Sequence, residues 1–454
     1  MNSDIHNTLY AGAARVDITP SGNCLMGGFA GRDHGCEGIH DNLYVTALAL
    51  SRHRKKLVII GVDILALNNE QMEKIWMLAD KRLNLRRDQL FINCSHTHAG
   101  PEVRPTFNYE TCAPGQVGKP DPVYIDELLE NIILSADKAL KSLKAADVTW
   151  GIGVTFIGIN RRAPDKSIYS QQATGYENFP NPAKEIDRTC PVILIKDKKG
   201  KPISLVFSAS CHPTTMRYDN YLISAEFPGV TRRILEKDLD GAPSLFLQGI
   251  AGDVKPHQVV VGNRFRSGDF EDIEIVGQEL AADIKSTIKK GLKPLDIRIG
   301  TALKRVALPF DKTWNEETFR RYASKEEAQY RRIWAEHWLK KLSQGETIPK
   351  SIDLTLSIVE LSSELRLLGI AGELLTDIGL KIKHQFKNGT TLPFGYTNGE
   401  VAYIPDAKAL REGGYEAIET VFFSHDKPAP FVEETEEIIL TGFDELKKDI
   451  VYTR

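Results

Sequence analysis

The chain has 454 residues, 42% hydrophobic and 26% charged, with a net charge of −3, which is ordinary composition for a soluble globular protein. That balance gives no electrostatic case for a nucleic-acid partner or an acidic membrane surface, and no run of about eighteen apolar residues offers a transmembrane segment. The first residues lack a basic start followed by an apolar stretch, and Cys24, Cys36, Cys94, Cys112, Cys190 and Cys211 are scattered without a Cys-x-x-Cys pair, so reduced thiols and a cytoplasmic location are expected.

In chain order, 14–20 alternates apolar and polar residues like an opening strand and stops at Pro20. The glycine-rich loop 26–35 follows, without the spacing or following helix of a dinucleotide-binding turn. His40, just before the next strand, reads either as a surface-loop histidine or as a side chain lining a site. Segments 44–51 and 57–67 are strands across a basic turn, and 69–83 has helical spacing through Met72, Ile75, Trp76 and Leu83. The buried strand 89–94 then runs into Ser95-His96-Thr97-His98-Ala99-Gly100-Pro101. Alternate residues of extended backbone share a face, so His96 and His98 are expected to project together beyond the strand end, where ligand sites of α/β sheets lie. The irregular stretch 102–122 is expected to be a lid or specificity wall, and loop 163–189 a second rim.

An amphipathic helix spans 124–144 and a strand 148–159. Strands 192–196 and 203–208 follow, the second leading into Cys211-His212-Pro213. After a helix at 228–239, strand 244–248 ends in Gly252-Asp253-Val254. Helix 269–289 and strand 296–309 precede a charged helical pair at 314–344 carrying Phe319, Tyr322, Tyr330, Trp334 and Trp338, a docking face or, alternatively, a homo-oligomer contact. Strands 352–361 and 365–370 lead to Glu373 and a helix ending near Gln385. Strand 391–396, a loop 398–415 holding Tyr403 and Tyr415, and a closing strand and helix in 430–454 complete the chain.

This order of elements implies an α/β fold of layered mixed sheets flanked by helices, αββα-like, in one large domain over 1–454 with a helical excursion at 311–348. His96, His98, His212, Asp253 and Glu373 all follow buried strands, and strand ends on one sheet edge converge. Three imidazoles and a carboxylate suit a zinc ion, with Asp253 moving a proton or holding an imidazole tautomer. Cys94 and Cys211 flank these histidines as alternative soft ligands.

The run Asn93-Cys94-Ser95-His96-Thr97-His98-Ala99-Gly100-Pro101 resembles the His-Thr-His signature of neutral (alkaline, non-lysosomal) ceramidases. Further matches come in the same order: 14–20 with 38–40, Cys211-His212-Pro213-Thr214, Gly252-Asp253-Val254, Gly372-Glu373, and Tyr403 with Tyr415. The resemblance implies a zinc-dependent hydrolase of an N-acyl bond, with His96, His98, His212, Glu373 and Tyr403 as metal ligands. It implies Tyr415 and Arg161, or Arg162, as donors to the developing oxyanion. Where the family carries Gly-Asp-Val-Ser-Pro-Asn this chain has Gly-Asp-Val-Lys-Pro-His, so Lys255 and His257 read as contacts to an anionic substrate group or as solvent-facing residues. The family's C-terminal immunoglobulin-like domain has no counterpart in the pattern. A small soluble N-acyl or cyclic amide is the expected substrate; ceramide itself and a non-catalytic metal-binding role are the alternatives.

Overall fold

The computed structural model describes residues 8–53, 55–104, 120–164 and 176–450. The greater part of the expected lid and much of the second rim, with Cys112, fall on 105–119 and 165–175, outside the described residues.

The main sheet runs from Ser244–Gln248 through Pro202–Ala209, Thr189–Asp197, Lys144–Val154, Tyr10–Asp17, Tyr44–Arg52 and Lys55–Val62 to Leu90–Cys94. Its two faces are sorted by the two-residue period of a strand: Val45, Ala47 and Ala49 face one core and Leu48 and Leu50 the other. On the first side lie the helices Asn69–Leu83, Pro122–Lys141, Glu226–Asp238 and Phe270–Lys290, which contribute Ile75, Ile132, Leu235 and Ile284. On the second side, Leu48, Ile59 and Phe91 pack on Leu365, Leu367 and Phe394 of a smaller sheet, ordered Gly300–Pro309, Ser351–Glu360, Leu365–Ile370, Thr390–Phe394. Helices Thr376–Gln385 and Thr435–Lys448 cover that sheet's outer face with Ile378, Ile439 and Phe443. The layers are therefore helix, sheet, sheet, helix.

Eight strands laid flat would hold the edges of the main sheet about 34 Å apart. Here the edges meet. The Asn93 side chain donates to the Gln248 carbonyl (3.3 Å) and accepts from the Gln248 backbone N–H (2.6 Å). Gly61 permits the close approach, since a Cβ there would lie 2.9 Å from the Phe246 carbonyl oxygen. This curl places the end of Leu90–Cys94 beside the ends of Pro202–Ala209 and Ser244–Gln248.

Several elements differ from expectation. The strand expected over 148–159 is divided into Lys144–Val154 in the main sheet and Gly158–Pro164, which pairs with Val254–Pro256 in a separate sheet. The loop expected over 398–415 contains the short strand Tyr403–Ile404 and the helix Ala407–Glu412, capped by Asp406. The closing strand is a single bridge between Phe310 and Phe431, whose partner is too distant in sequence to leave a local pattern. Trp334 and Trp338 are buried against Phe319 and Phe422, so the aromatic stripe is used inside the chain.

Candidate metal centre

His96 and His98 do come together, though by a route other than strand alternation. The strand stops at Cys94, and His96 adopts the left-handed region with φ 64°, unusual for a residue with a Cβ. Its Nδ1 donates to the Leu65 carbonyl (3.0 Å), which leaves Nε2 facing His98 Nε2 at 3.2 Å and Glu373 Oε2 at 3.2 Å. His98 is cradled by Gly28, where a Cβ would fall 2.2 Å from His98 Nδ1, and by the Phe29 ring at 4.7 Å. His212 donates from Nδ1 to the Ala251 carbonyl and turns Nε2 toward Glu373 Oε2, 3.3 Å away. Ala251, rather than Asp253, sets that tautomer.

The donor set fits a metal ion. One nitrogen from each of the three histidines lies within 4.8 Å of the others. All three rings and Glu373 are buried, yet His212 Nε2 and Glu373 Oε2 have no hydrogen-bond partner. Imidazole nitrogens aimed at one another and at a carboxylate need a positive charge between them. Burial opposes a proton on any ring. Glu373 and Glu400 nevertheless raise His96 to about 9. Burial and the neighbouring imidazoles hold His98 well below its ordinary value, and burial with Arg161 holds His212 at about 4. Two rings are thus in the neutral, ligating form at neutral pH, and the positive charge drawn to the third is the kind a divalent cation supplies. Cys94 and Cys211 do not belong to the cluster; burial keeps both thiols protonated, and the Cys211 thiol contacts the His212 carbonyl oxygen (3.7 Å).

Above the cluster is a cavity of about 330 Å³. His96, His98, Glu373, Glu400, Tyr403 and Tyr415 line its inner end; Asn69, Glu70, Arg104, Asp426 and Lys427 add charged and polar groups elsewhere, and Leu65, Ile352, Val401, Ala402 and Phe423 form its apolar patches. Tyr403 is the register partner of Glu373 in a two-residue parallel ladder. Its hydroxyl oxygen accepts from Arg161 Nη2 at 3.0 Å, and the Arg161 guanidinium lies over both the Tyr403 and Tyr415 rings.

A family model described as neutral/alkaline non-lysosomal ceramidase, N-terminal, matches residues 9–263. The chain belongs to that family. Neutral ceramidase A of Dictyostelium discoideum is 27% identical over 185 residues, 37% of this chain and 24% of that protein. Neutral ceramidase 1 of Arabidopsis thaliana is 26% identical over 247 residues, 51% of this chain and 29% of that protein. The chain thus aligns with 24% and 29% of the length of these two relatives. In fold, the chain matches the crystal structure of neutral ceramidase from Pseudomonas aeruginosa with a TM-score of 0.72 at 16% identity, over 97% of this chain and 74% of that one. A ceramidase complexed with C2 gives a TM-score of 0.73 at 15% identity with the same coverage.

Within this ceramidase-family chain, the other residues singled out in the sequence are placed as follows. Arg161 is buried and does not line the cavity; it reaches the site through Tyr403 and Tyr415 and is itself held by Glu416 (3.0 Å). Arg162 is spent on Glu416 (2.7 Å) and the Gly413 carbonyl (3.1 Å), an internal brace rather than a substrate contact. Asp253 accepts from the Thr376 backbone (2.8 Å) and hydroxyl (2.6 Å) on one oxygen and from Asn160 (2.7 Å) on the other. Burial works to raise this carboxyl, but Lys184 and those donors more than offset it and hold it below the usual range. With the Lys184 ammonium 3.5 Å from the second oxygen as well, this carboxylate is engaged on both oxygens, and the proton-carrying role expected of Asp253 is not what its contacts favour. His40 stacks on Phe270 (3.7 Å) and pairs with Asp41 (2.9 Å) at the surface, and His257 is exposed. Lys255 is buried with its ammonium 5.1 Å from the Phe265 ring centroid. None of these three lines the cavity.

Glu400, Arg104 and Tyr396 join the site without a motif in the sequence to mark them. Glu400 Oε2 lies 3.4 Å from His96 Nδ1, Arg104 holds the other Glu400 oxygen (3.4 Å), and the Tyr396 ring packs 4.2 Å from that of His96. The only local signal was an acid directly after the turn Thr397-Asn398-Gly399, three residues before Tyr403.

Proposed function

We propose that this chain is a zinc-dependent amide hydrolase acting on N-acylated long-chain amines of the ceramide type. The observation that carries the reading is one buried cluster of three imidazoles and an unpartnered carboxylate oxygen, opening into a cavity whose walls are in part apolar. The ceramidase relatives and those walls favour ceramide over the small soluble amide expected from sequence. Lys255, expected to contact an anionic substrate group, is outside the cavity, and among the described residues the cations that do line it are Arg104 and Lys427.

His96, His98, His212 and Glu373, with Tyr403 beside them, would hold the metal. Bound zinc supplies Lewis acidity and makes water a better nucleophile near neutral pH. Tyr415, its phenol pushed up to about 12 by burial, keeps its proton and lines the cavity, where it donates to the carbonyl oxygen as negative charge develops. Arg161 positions both tyrosines through its bond to Tyr403 and its stacking over the rings. Glu400 lines the cavity beside His96, and burial with the neighbouring Glu373 raises its carboxyl, so it is better placed than Asp253 to hand a proton to the departing amine. Leu65, Ile352 and Phe423 exclude water from the acyl chain.

The test is turnover by the zinc-loaded protein of N-acylsphingosines with short and long acyl chains in detergent micelles, beside a panel of small N-acyl amides. Release of long-chain base is expected. Hydrolysis confined to small amides would overturn the ceramide reading, and stoichiometric zinc with no turnover of anything would overturn the enzyme reading.

A further inference from the structure

The glycine-rich loop that holds His98 is bracketed by two cysteines. Cys24 Sγ and Cys36 Sγ lie 3.4 Å apart, the Cys24 N–H donates to Cys36 Sγ (3.3 Å), and the Cys36 N–H donates to the Cys24 carbonyl (2.8 Å). The two backbones are therefore already in register, and a bond length near 2.05 Å requires the sulfurs to close by only about 1.4 Å. Cys24 is partly exposed and within reach of a small oxidant, whereas Cys36 is buried beside it. Between them, Gly28 abuts His98 Nδ1, Phe29 packs on the His98 ring, and Arg32 donates to the His98 carbonyl (2.8 Å) and the Gly27 carbonyl (2.7 Å). Closing this loop covalently would restrict the segment that seats one of the three imidazoles.

We propose that Cys24 and Cys36 form a disulfide in an oxidising medium and that this bond staples the loop against His98. The oxidant is a small-molecule disulfide such as oxidised glutathione. The Cys24 thiolate attacks one of its sulfurs and expels one thiol; the Cys36 thiolate then attacks the Cys24 sulfur and expels the second. Two protein thiols lose two electrons and two protons, and the oxidant becomes two thiols. Burial and the neighbouring Cys36 push the Cys24 thiol up, so the exchange is slow at neutral pH and faster in mild alkali. The consequence for the metal rests on the function proposed above; the cross-link does not.

The full chain is incubated with oxidised glutathione at pH about 8.5, denatured, alkylated and digested with trypsin, which cuts at Arg32 between the two cysteines. Mass spectrometry is expected to find the two flanking peptides joined, with Cys94, Cys190 and Cys211 alkylated. Recovery of both Cys24 and Cys36 alkylated, or of Cys24 carrying only glutathione, overturns the cross-link. For the staple, removal of zinc by a chromophoric chelator is expected to be several-fold slower from oxidised than from reduced protein, with no redox dependence in Cys36→Ser. Equal rates overturn the staple. A protein that binds no zinc overturns the metal reading instead, and the melting temperature then decides: a rise of a few degrees on oxidation, absent in Cys36→Ser, supports the staple and no rise overturns it.

Discussion

Glu373 and Tyr403 are register partners in a parallel ladder, so their side chains leave the backbone on the same side and both reach the cavity. The ladder is only two residues long, Glu373–Leu374 against Tyr403–Ile404, and it joins the end of the small sheet to a loop that is also held by the Glu400 N–H bond to the Leu67 carbonyl and the Val401 N–H bond to the Ala371 carbonyl. Glu373→Gln keeps this shape and removes the charge that His96 and His212 face. Zinc affinity should fall by about a hundredfold, measured by chelator competition, with the melting temperature nearly unchanged.

Gly28→Ala tests the cradle of His98. The added methyl would meet His98 Nδ1 at 2.2 Å, and the backbone there has φ 91°, which a side chain disfavours. A loss of about 1–3 kcal/mol in stability is expected from chemical denaturation, together with weaker zinc retention because His98 must move. Unchanged zinc affinity would show that His98 is not seated by this loop.

Tyr415→Phe removes a hydroxyl and little else. The expected result is a fall of about a hundredfold in kcat with KM little altered, since the bond is made to charge that develops only in the transition state. A change confined to KM would make Tyr415 a binding residue.

Glu400→Gln and Asp253→Asn separate the two acids. Glu400→Gln should lower kcat at least tenfold in steady-state assays. Asp253→Asn should lower stability by about 1–3 kcal/mol, because an amide cannot accept all the bonds from Thr376 and Asn160, while kcat per folded molecule changes little. The reverse pattern would restore Asp253 as the proton carrier.

Lys255→Met should stabilise the protein, and more so at low pH. Burial and the guanidiniums of Arg161 and Arg217 lower the lysine to about 7 from the ordinary 10.5. Between these values the unfolded chain binds a proton that the folded chain does not, so wild-type stability rises as pH rises through that window. The cost of burying the amine is complete below about pH 7, at most about 5 kcal/mol, and vanishes above about pH 10.5. Methionine carries no such cost. Urea denaturation at pH about 6 and about 9.5 should therefore show a gain that shrinks at the higher pH.

Local signals sufficed for much of the fold and some of the site. The helix 69–83 and the strands 244–248 and 365–370 coincide with their expected bounds, because side-chain period and capping residues act over a few positions. Placing His96, His98, His212 and Glu373 after buried runs needed nothing more. Strand alternation does not pair the histidines; a left-handed turn at His96 brings them together.

By itself, then, the sequence determined the layered α/β class, the strand ends that carry the histidines and Glu373, and the family signature around His96. Only the tertiary structure decided that those ends meet, because the closure runs through Asn93 and Gln248, 155 residues apart. It likewise turned Lys255, His40 and His257 away from the cavity, engaged Asp253 with Thr376 and Asn160, and brought Glu400 to His96. Side-chain direction in a loop follows from which distant backbone the loop pairs with, and that information is spread over the whole chain rather than written in any one stretch of it.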